Sequence, residues 1–244
     1  LSSSAKNRKP EAALLILGAY KNSDAYPTVK YRIAALHALK GVAVTEINLL
    51  HDRSAAVAWS EAGKDFTARC KTALDFLVTA LRLLFVIIRH RSIPTVYLPY
   101  PALLPGFLYF LLAPFVRPKI IVDGFISLYD TVVNDRCLVK EGSLAARLLR
   151  FSEAKAWGVA TAVITDTPEN SLFYARMLNL DAARFCSLPL PVNEACFATL
   201  VRDVPAQDSP VSNTPQLPLK VLYIGTFVPL HGFAYILENI RQLE

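Results

Sequence analysis

Ala12-Ala-Leu-Leu-Ile-Leu-Gly-Ala-Tyr20 is a short apolar run. Thr28-Val-Lys-Tyr-Arg-Ile-Ala-Ala-Leu-His-Ala-Leu-Lys40 has helical periodicity, and Val42-Ala-Val-Thr-Glu-Ile-Asn-Leu49 is strand-like again. Strand, helix and strand in that order form the repeating unit of a parallel sheet, because consecutive parallel strands need a crossover between them. Further strand-like runs follow at 95–98, 119–123, 160–165 and 184–188, with helical patterns at 102–115, 143–157 and 168–178. The chain therefore reads as α/β, with a doubly wound parallel sheet. A long helix is expected over 67–91, where Leu74, Leu77, Val78, Leu81, Leu84, Phe85 and Ile88 recur at helical spacing. Lys71, Asp75, Arg82 and Arg89 interrupt its other side, so the apolar face is expected against the sheet.

Residues 199–218 hold Pro205, Pro210, Pro215 and Pro218 among polar neighbours and read as an exposed linker. The expected organisation is a first domain over 1–198, a linker over 199–218, and the start of a second domain over 219–244. That second part offers a strand at 220–225 and a helix at 233–243, too little for a core of its own, and is expected to be truncated. The first residue is Leu, which places the expected true start upstream. Residues 98–116 form a run of nineteen without a charge. Pro99, Pro101, Pro105 and Pro114 interrupt it, so a buried loop and helix are expected in place of a membrane span, with shallow membrane contact as the other reading.

Of the 244 residues, 53% are hydrophobic and 19% charged, which excludes a disordered chain. The formal charge of +6 favours an anionic partner such as a nucleotide diphosphate or an acidic membrane. No Lys/Arg run is interleaved with aromatics, so nucleic acid is not an expected partner. Cys70, Cys137, Cys186 and Cys196 include no CxxC pair and no zinc spacing. They read as buried free thiols in a reducing compartment, and no metal is expected.

Three segments end strands in polar loops, where α/β sheets place their ligands. Ala19-Tyr-Lys-Asn-Ser-Asp-Ala-Tyr-Pro27 follows the first strand, and its Tyr20, Lys21, Asn22 and Asp24 suit sugar hydroxyls or a phosphate; a surface turn of such residues also needs no ligand. Ile120-Ile-Val-Asp-Gly-Phe-Ile-Ser-Leu-Tyr-Asp-Thr-Val-Val-Asn-Asp-Arg136 brings Asp123 to a strand end, followed by Tyr129, Asp130 and Arg136. Asp123 can take a proton from an attacking hydroxyl. Equally, Asp123 and Asp130 can cap local backbone N–H groups. Asp166 and Thr167, ahead of Pro168 and Glu169, read as a helix N-cap. Lys220-Val-Leu-Tyr-Ile-Gly-Thr-Phe-Val-Pro-Leu-His-Gly232 runs from strand through a turn bracketed by Gly225 and Gly232 into a helix, a geometry that suits a diphosphate; taken alone, two glycines flanking such a turn are more often structural.

This last segment resembles the opening of the donor-binding domain in family 4 glycosyltransferases of the GT-B fold. The resemblance implies that residues 1–198 are the Rossmann-like acceptor domain and that Gly225, Thr226, Phe227, His231 and Gly232 face a nucleotide sugar. It also implies Tyr20, Lys21, Asn22, Asp24, Tyr129, Asp130 and Arg136 at the acceptor, with Asp123 catalytic. Two positions depart from the family pattern: His231 stands where many relatives carry Lys, and Asp123 where many carry His. An imidazole supplies a hydrogen bond where lysine supplies a full charge. The implied activity is hexosyl transfer from a nucleotide sugar to a glycan or lipid-linked acceptor in cell-envelope glycan biosynthesis, usually retaining and metal-independent, with no further cofactor. The implied place is the cytoplasm, extending to the inner face of the cytoplasmic membrane. The family holds the donor sugar with carboxylates further along the second domain, so residues 1–244 alone are expected to be inactive. The alternatives are a non-catalytic module binding a glycan or membrane partner, and a Rossmann-type oxidoreductase, which the missing GxGxxG disfavours.

Overall fold

The computed structural model describes residues 12–50, 66–191, 222 and 233–240. The chain divides into two compact units, Leu1–Val192 and Asn193–Glu244. The expected linker and the 220–225 strand lie outside the described residues, apart from Leu222. In the first unit six strands form one sheet: β1 (Ala12–Gly18), β2 (Val42–Asn48), β3 (Thr95–Leu98), β4 (Lys119–Asp123), β5 (Ala162–Thr165) and β6 (Phe185–Ser187). All neighbours are parallel, in the order β2-β1-β3-β4-β5-β6. The sheet is Rossmann-like, as its strand and helix alternation predicts.

Among the described residues the α-helices of this unit are α1 (Pro27–His37), α2 (Phe66–Arg89), α3 (Leu103–Leu112), α4 (Leu144–Gly158) and α5 (Pro168–Leu178). In the second unit α6 (Phe233–Ile240) is described. Strand side chains alternate between faces, and the core separates accordingly. Leu15, Leu17, Val96, Leu98, Val122 and Val163 pack with Leu83 and Ile87 of α2, Tyr109 of α3, Trp157 of α4 and Tyr174 of α5. Leu14, Ile16 and Tyr97 pack with Val29 and Ile33 of α1. Burying one aliphatic side chain fully contributes about 1.5–3 kcal/mol, and the interior strand β1, covered on both faces, is apolar on both. Gly106 lets α3 lie close on α4: a Cβ there would meet the Ala156 carbonyl oxygen at 2.9 Å.

Local caps follow the residue types. Thr167 accepts from Asn170 N–H at 3.1 Å, and Asp166 accepts from Thr167 N–H at 2.9 Å, so α5 starts on the expected cap with Pro168 in its first turn. Ser143 caps α4 in the same way, accepting from Ala146 N–H at 3.2 Å.

Three expectations are corrected. The stripe of α2 expected against the sheet is exposed at Leu74, Leu77, Val78, Leu81, Phe85 and Ile88, while Leu83 and Ile87 are fully buried. The helix is apolar on both sides, so its periodicity does not select the inward face. The polar loop expected after Asp123 is largely helical, including a π-helical turn over Asp130–Asp135 with Arg136 N–H donating to Thr131 O at 2.9 Å. Cys137 and Cys186 are free but exposed. The 98–116 run resolves into a loop and α3, and among the described residues no helix is long and apolar enough to cross a membrane.

Candidate functional site at the carboxyl edge of the sheet

The order β2-β1-β3 makes the β1/β3 boundary a topological switch point, where the connections leave on opposite faces and where α/β sheets hold their ligand crevice at the strand carboxyl ends. The β1–α1 loop and the Pro99–Ala102 turn flank it. Tyr100 sits in that turn, ahead of a cis Tyr100–Pro101 bond, and its ring meets Phe125 edge to face with centroids 5.9 Å apart. Burial pushes the Tyr100 hydroxyl above its ordinary pKa, and the negative charge of Glu153 adds to this. Tyr26 and Asp123 act in the same direction, while Arg136 opposes them. The loops after β1, β3 and β4 thus converge electrostatically on one phenol.

Beneath this crevice lies a buried polar floor. Asp123 ends β4 at 1% exposure. Its carboxylate is held by Arg32 of α1 in an ion pair and accepts from the Tyr97 hydroxyl at 2.8 Å. Burial pushes the Asp123 carboxyl above its usual range, with Arg32, the Tyr97 hydroxyl and the Phe125 N–H acting against that. Arg32 also donates to the Leu188 carbonyl at 3.1 Å, and its Nε has no partner among the described residues. Desolvation, strengthened by the Asp123 charge, pushes the Tyr97 hydroxyl far above its ordinary value.

A second buried carboxylate organises the following segment. Glu153 of α4 accepts from Ser127 Oγ at 2.6 Å, Leu128 N–H at 2.7 Å and Tyr129 N–H at 3.0 Å. It therefore caps a helical start from a distance, supplying the acceptor that the first N–H groups lack. Burial raises its carboxyl, opposed by those three donors.

The predicted acceptor residues fall into three groups. Tyr20 is packed inside, its hydroxyl donating to Glu46 at 2.6 Å and its carbonyl accepting from Asn48 Nδ2 at 2.8 Å, so it clamps the base of the loop. Lys21 lies over the Tyr26 ring at 5.1 Å, Asn22 is exposed, and Asp24 pairs with Lys30 at 2.5 Å on the surface. Tyr129 is buried beside Val133 and Ala146 and borders an open depression of about 420 Å³ with Glu141, Arg147 and Arg150. Asp130 accepts from Asn134 at 2.8 Å, and Arg136 is exposed. Tyr26, Asp123 and Arg136 each bear electrostatically on the Tyr100 hydroxyl, whereas Asp24 and Tyr20 are engaged elsewhere. Gly225, Thr226, Phe227, His231 and Gly232 lie outside the described residues.

No protein-family model and no curated protein matches this chain.

Sequence reading missed Arg32, Tyr97, Tyr100 and Glu153. Arg32 left a signal: it shares the inward face of α1 with Thr28, Val29 and Ile33, and an arginine on an apolar stripe requires a buried anion. Among the described residues no cluster of His, Cys, Asp and Glu is arranged to hold a metal ion.

Proposed function

We propose that this chain supplies the acceptor-side domain of a sugar transferase acting on a glycan or lipid-linked acceptor with a nucleotide-sugar donor. The observation that carries this reading is the edge-to-face pair of Tyr100 and Phe125 beside the β1/β3 switch point, with Tyr26 and Arg136 both bearing electrostatically on the Tyr100 hydroxyl. Sugar rings present apolar C–H faces that lie against aromatic side chains, and a guanidinium holds a hydroxyl or phosphate oxygen beside them. The resemblance of residues 220–232 to a donor-domain opening supports the same reading.

In this reading Asp123 is a positioning residue. Its carboxylate is 1% exposed with Arg32 on one oxygen and the Tyr97 hydroxyl on the other, so an acceptor hydroxyl does not reach it and protonation would weaken a buried ion pair. Its role is to fix Tyr97 and α1 under the crevice. That same feature favours a second reading, a glycan-binding module without transfer.

The test has two parts. Binding of oligosaccharides and sugar-pyrophosphate lipids to residues 1–244 is followed by ligand-observed NMR, with Tyr100→Ala and Arg136→Gln expected to weaken binding about ten-fold each, a loss near 1.4 kcal/mol. Sugar transfer is then assayed with the product of the complete reading frame. Transfer that Arg136→Gln reduces supports the enzyme, binding without transfer supports the module, and neither binding nor transfer refutes both.

A further inference from the structure

We infer that the outer face of α2, continued by the depression between β3 and β4 at the amino edge of the sheet, is a docking surface for an anionic lipid bilayer. Leu74, Leu77, Val78, Leu81, Phe85 and Ile88 are all exposed, Phe85 at 68%. Their spacing of three and four residues places them on one arc of the helix, opposite the buried Leu83 and Ile87, over roughly 21 Å of its length. A monomeric surface carries single exposed apolar residues without consequence, whereas a contiguous stripe this long marks an interaction site.

Charge selects the partner. The same helical spacing sets Lys71, Arg82 and Arg89 along one border of the stripe with Asp75 as the one acid, and all four are exposed. Two steps beyond the end of α2, Arg91 lines an open depression of about 360 Å³ together with Arg117, Val116 and Phe115. Phe115 is 81% exposed, and Arg117 is fixed at the rim by its Nε donating to Ala113 O at 3.0 Å. An antiparallel twofold pairing of two copies through this stripe would set these cations against each other, with one acid per copy to offset them. An anionic lipid surface accepts both elements at once: apolar side chains enter the boundary between headgroups and chains, and arginines meet phosphates. Among the described residues no helix is suited to crossing, so the contact lies along the surface.

The inference does not depend on the transferase reading, since vesicle binding needs neither donor nor acceptor. The experiment is co-sedimentation of the 244-residue protein with vesicles of phosphatidylcholine alone and with phosphatidylglycerol added. Binding is expected with the anionic vesicles and is expected to weaken as salt screens the arginines. Leu81→Gln/Phe85→Gln, both at exposed positions, is expected to reduce binding by more than about ten-fold without moving the unfolding midpoint. Arg91→Gln and Arg117→Gln are each expected to weaken it about five-fold and to flatten its dependence on anionic lipid. Absence of binding at low salt, or unchanged binding in Leu81→Gln/Phe85→Gln, overturns the inference. So does a wild-type dimer in sedimentation velocity that this double variant converts to monomer.

Discussion

Replacing Arg32 by methionine strands the Asp123 carboxylate in the interior, 1% exposed and left with the Tyr97 hydroxyl and the Phe125 N–H. Breaking a buried pair from one side costs about 3–5 kcal/mol, a large share of the about 5–15 kcal/mol that holds a domain together. The lost bond to Leu188 O contributes about 1 kcal/mol of this. The double variant Arg32→Met/Asp123→Asn keeps that smaller loss and removes the stranded charge, so it is expected within about 2 kcal/mol of wild type. Proton linkage gives a second readout. Burial already holds the Asp123 carboxyl above its usual range, and removing the guanidinium raises it further. The folded variant then binds the proton more tightly than its unfolded chain. Its stability is highest below the unfolded value near 4 and falls as pH rises through the folded one. Urea unfolding followed by circular dichroism at about pH 5 and about pH 7 measures both effects, and the single variant should suffer more at the higher pH. If the single variant does not accumulate, recovery of soluble protein in the double variant reports the same coupling. A loss below about 1 kcal/mol for Arg32→Met, or equal losses in single and double variants, refutes a buried charge pair as the floor of the site.

Glu153 makes a related case: its raised carboxyl gives wild-type stability a downward slope as pH rises through the folded value. Glu153→Gln should flatten that slope while costing about 1–3 kcal/mol, because an amide offers one acceptor where three donors converge; an unchanged slope in a pH series of urea melts counts against it. Thr167→Ala should cost about 1 kcal/mol through the lost N-cap of α5, with Thr167→Ser recovering most of it in thermal melts. Gly106→Val should push α3 away from α4 and cost about 1–3 kcal/mol, read in the same melts, because a Cβ there meets backbone that does not yield.

What was legible in the sequence follows from the range of the interactions involved. β3 and β4 occupy 95–98 and 119–123 as expected, because each is a short apolar strand preceded by proline. The cap at Asp166 and Thr167 was readable because its partners lie within four residues. The inward face of α2 was not, since apolar residues line both sides and burial is decided by where the helix sits on the sheet. Nor was the helical turn after Ser127, whose first N–H groups are satisfied by Glu153, more than twenty positions away. Asp123 was placed correctly at a strand end, but its partner Arg32 lies 91 positions earlier, and only packing brings the two together. The site was therefore visible as a sheet edge and not as a set of contacts.

Arg32 touches the sheet at two distant exits. One contact is the carboxylate that ends β4, and the other is the carbonyl of Leu188, just past β6, where the chain leaves the first unit. A single planar guanidinium cannot follow two anchors that move apart, so the departing strand and the base of the crevice share one mechanical rivet. Tension applied to the chain beyond Leu188 would therefore reach the floor beneath Tyr97 through that carbonyl as well as β5 through the Leu188 N–H, which donates to Thr165 O at 2.8 Å.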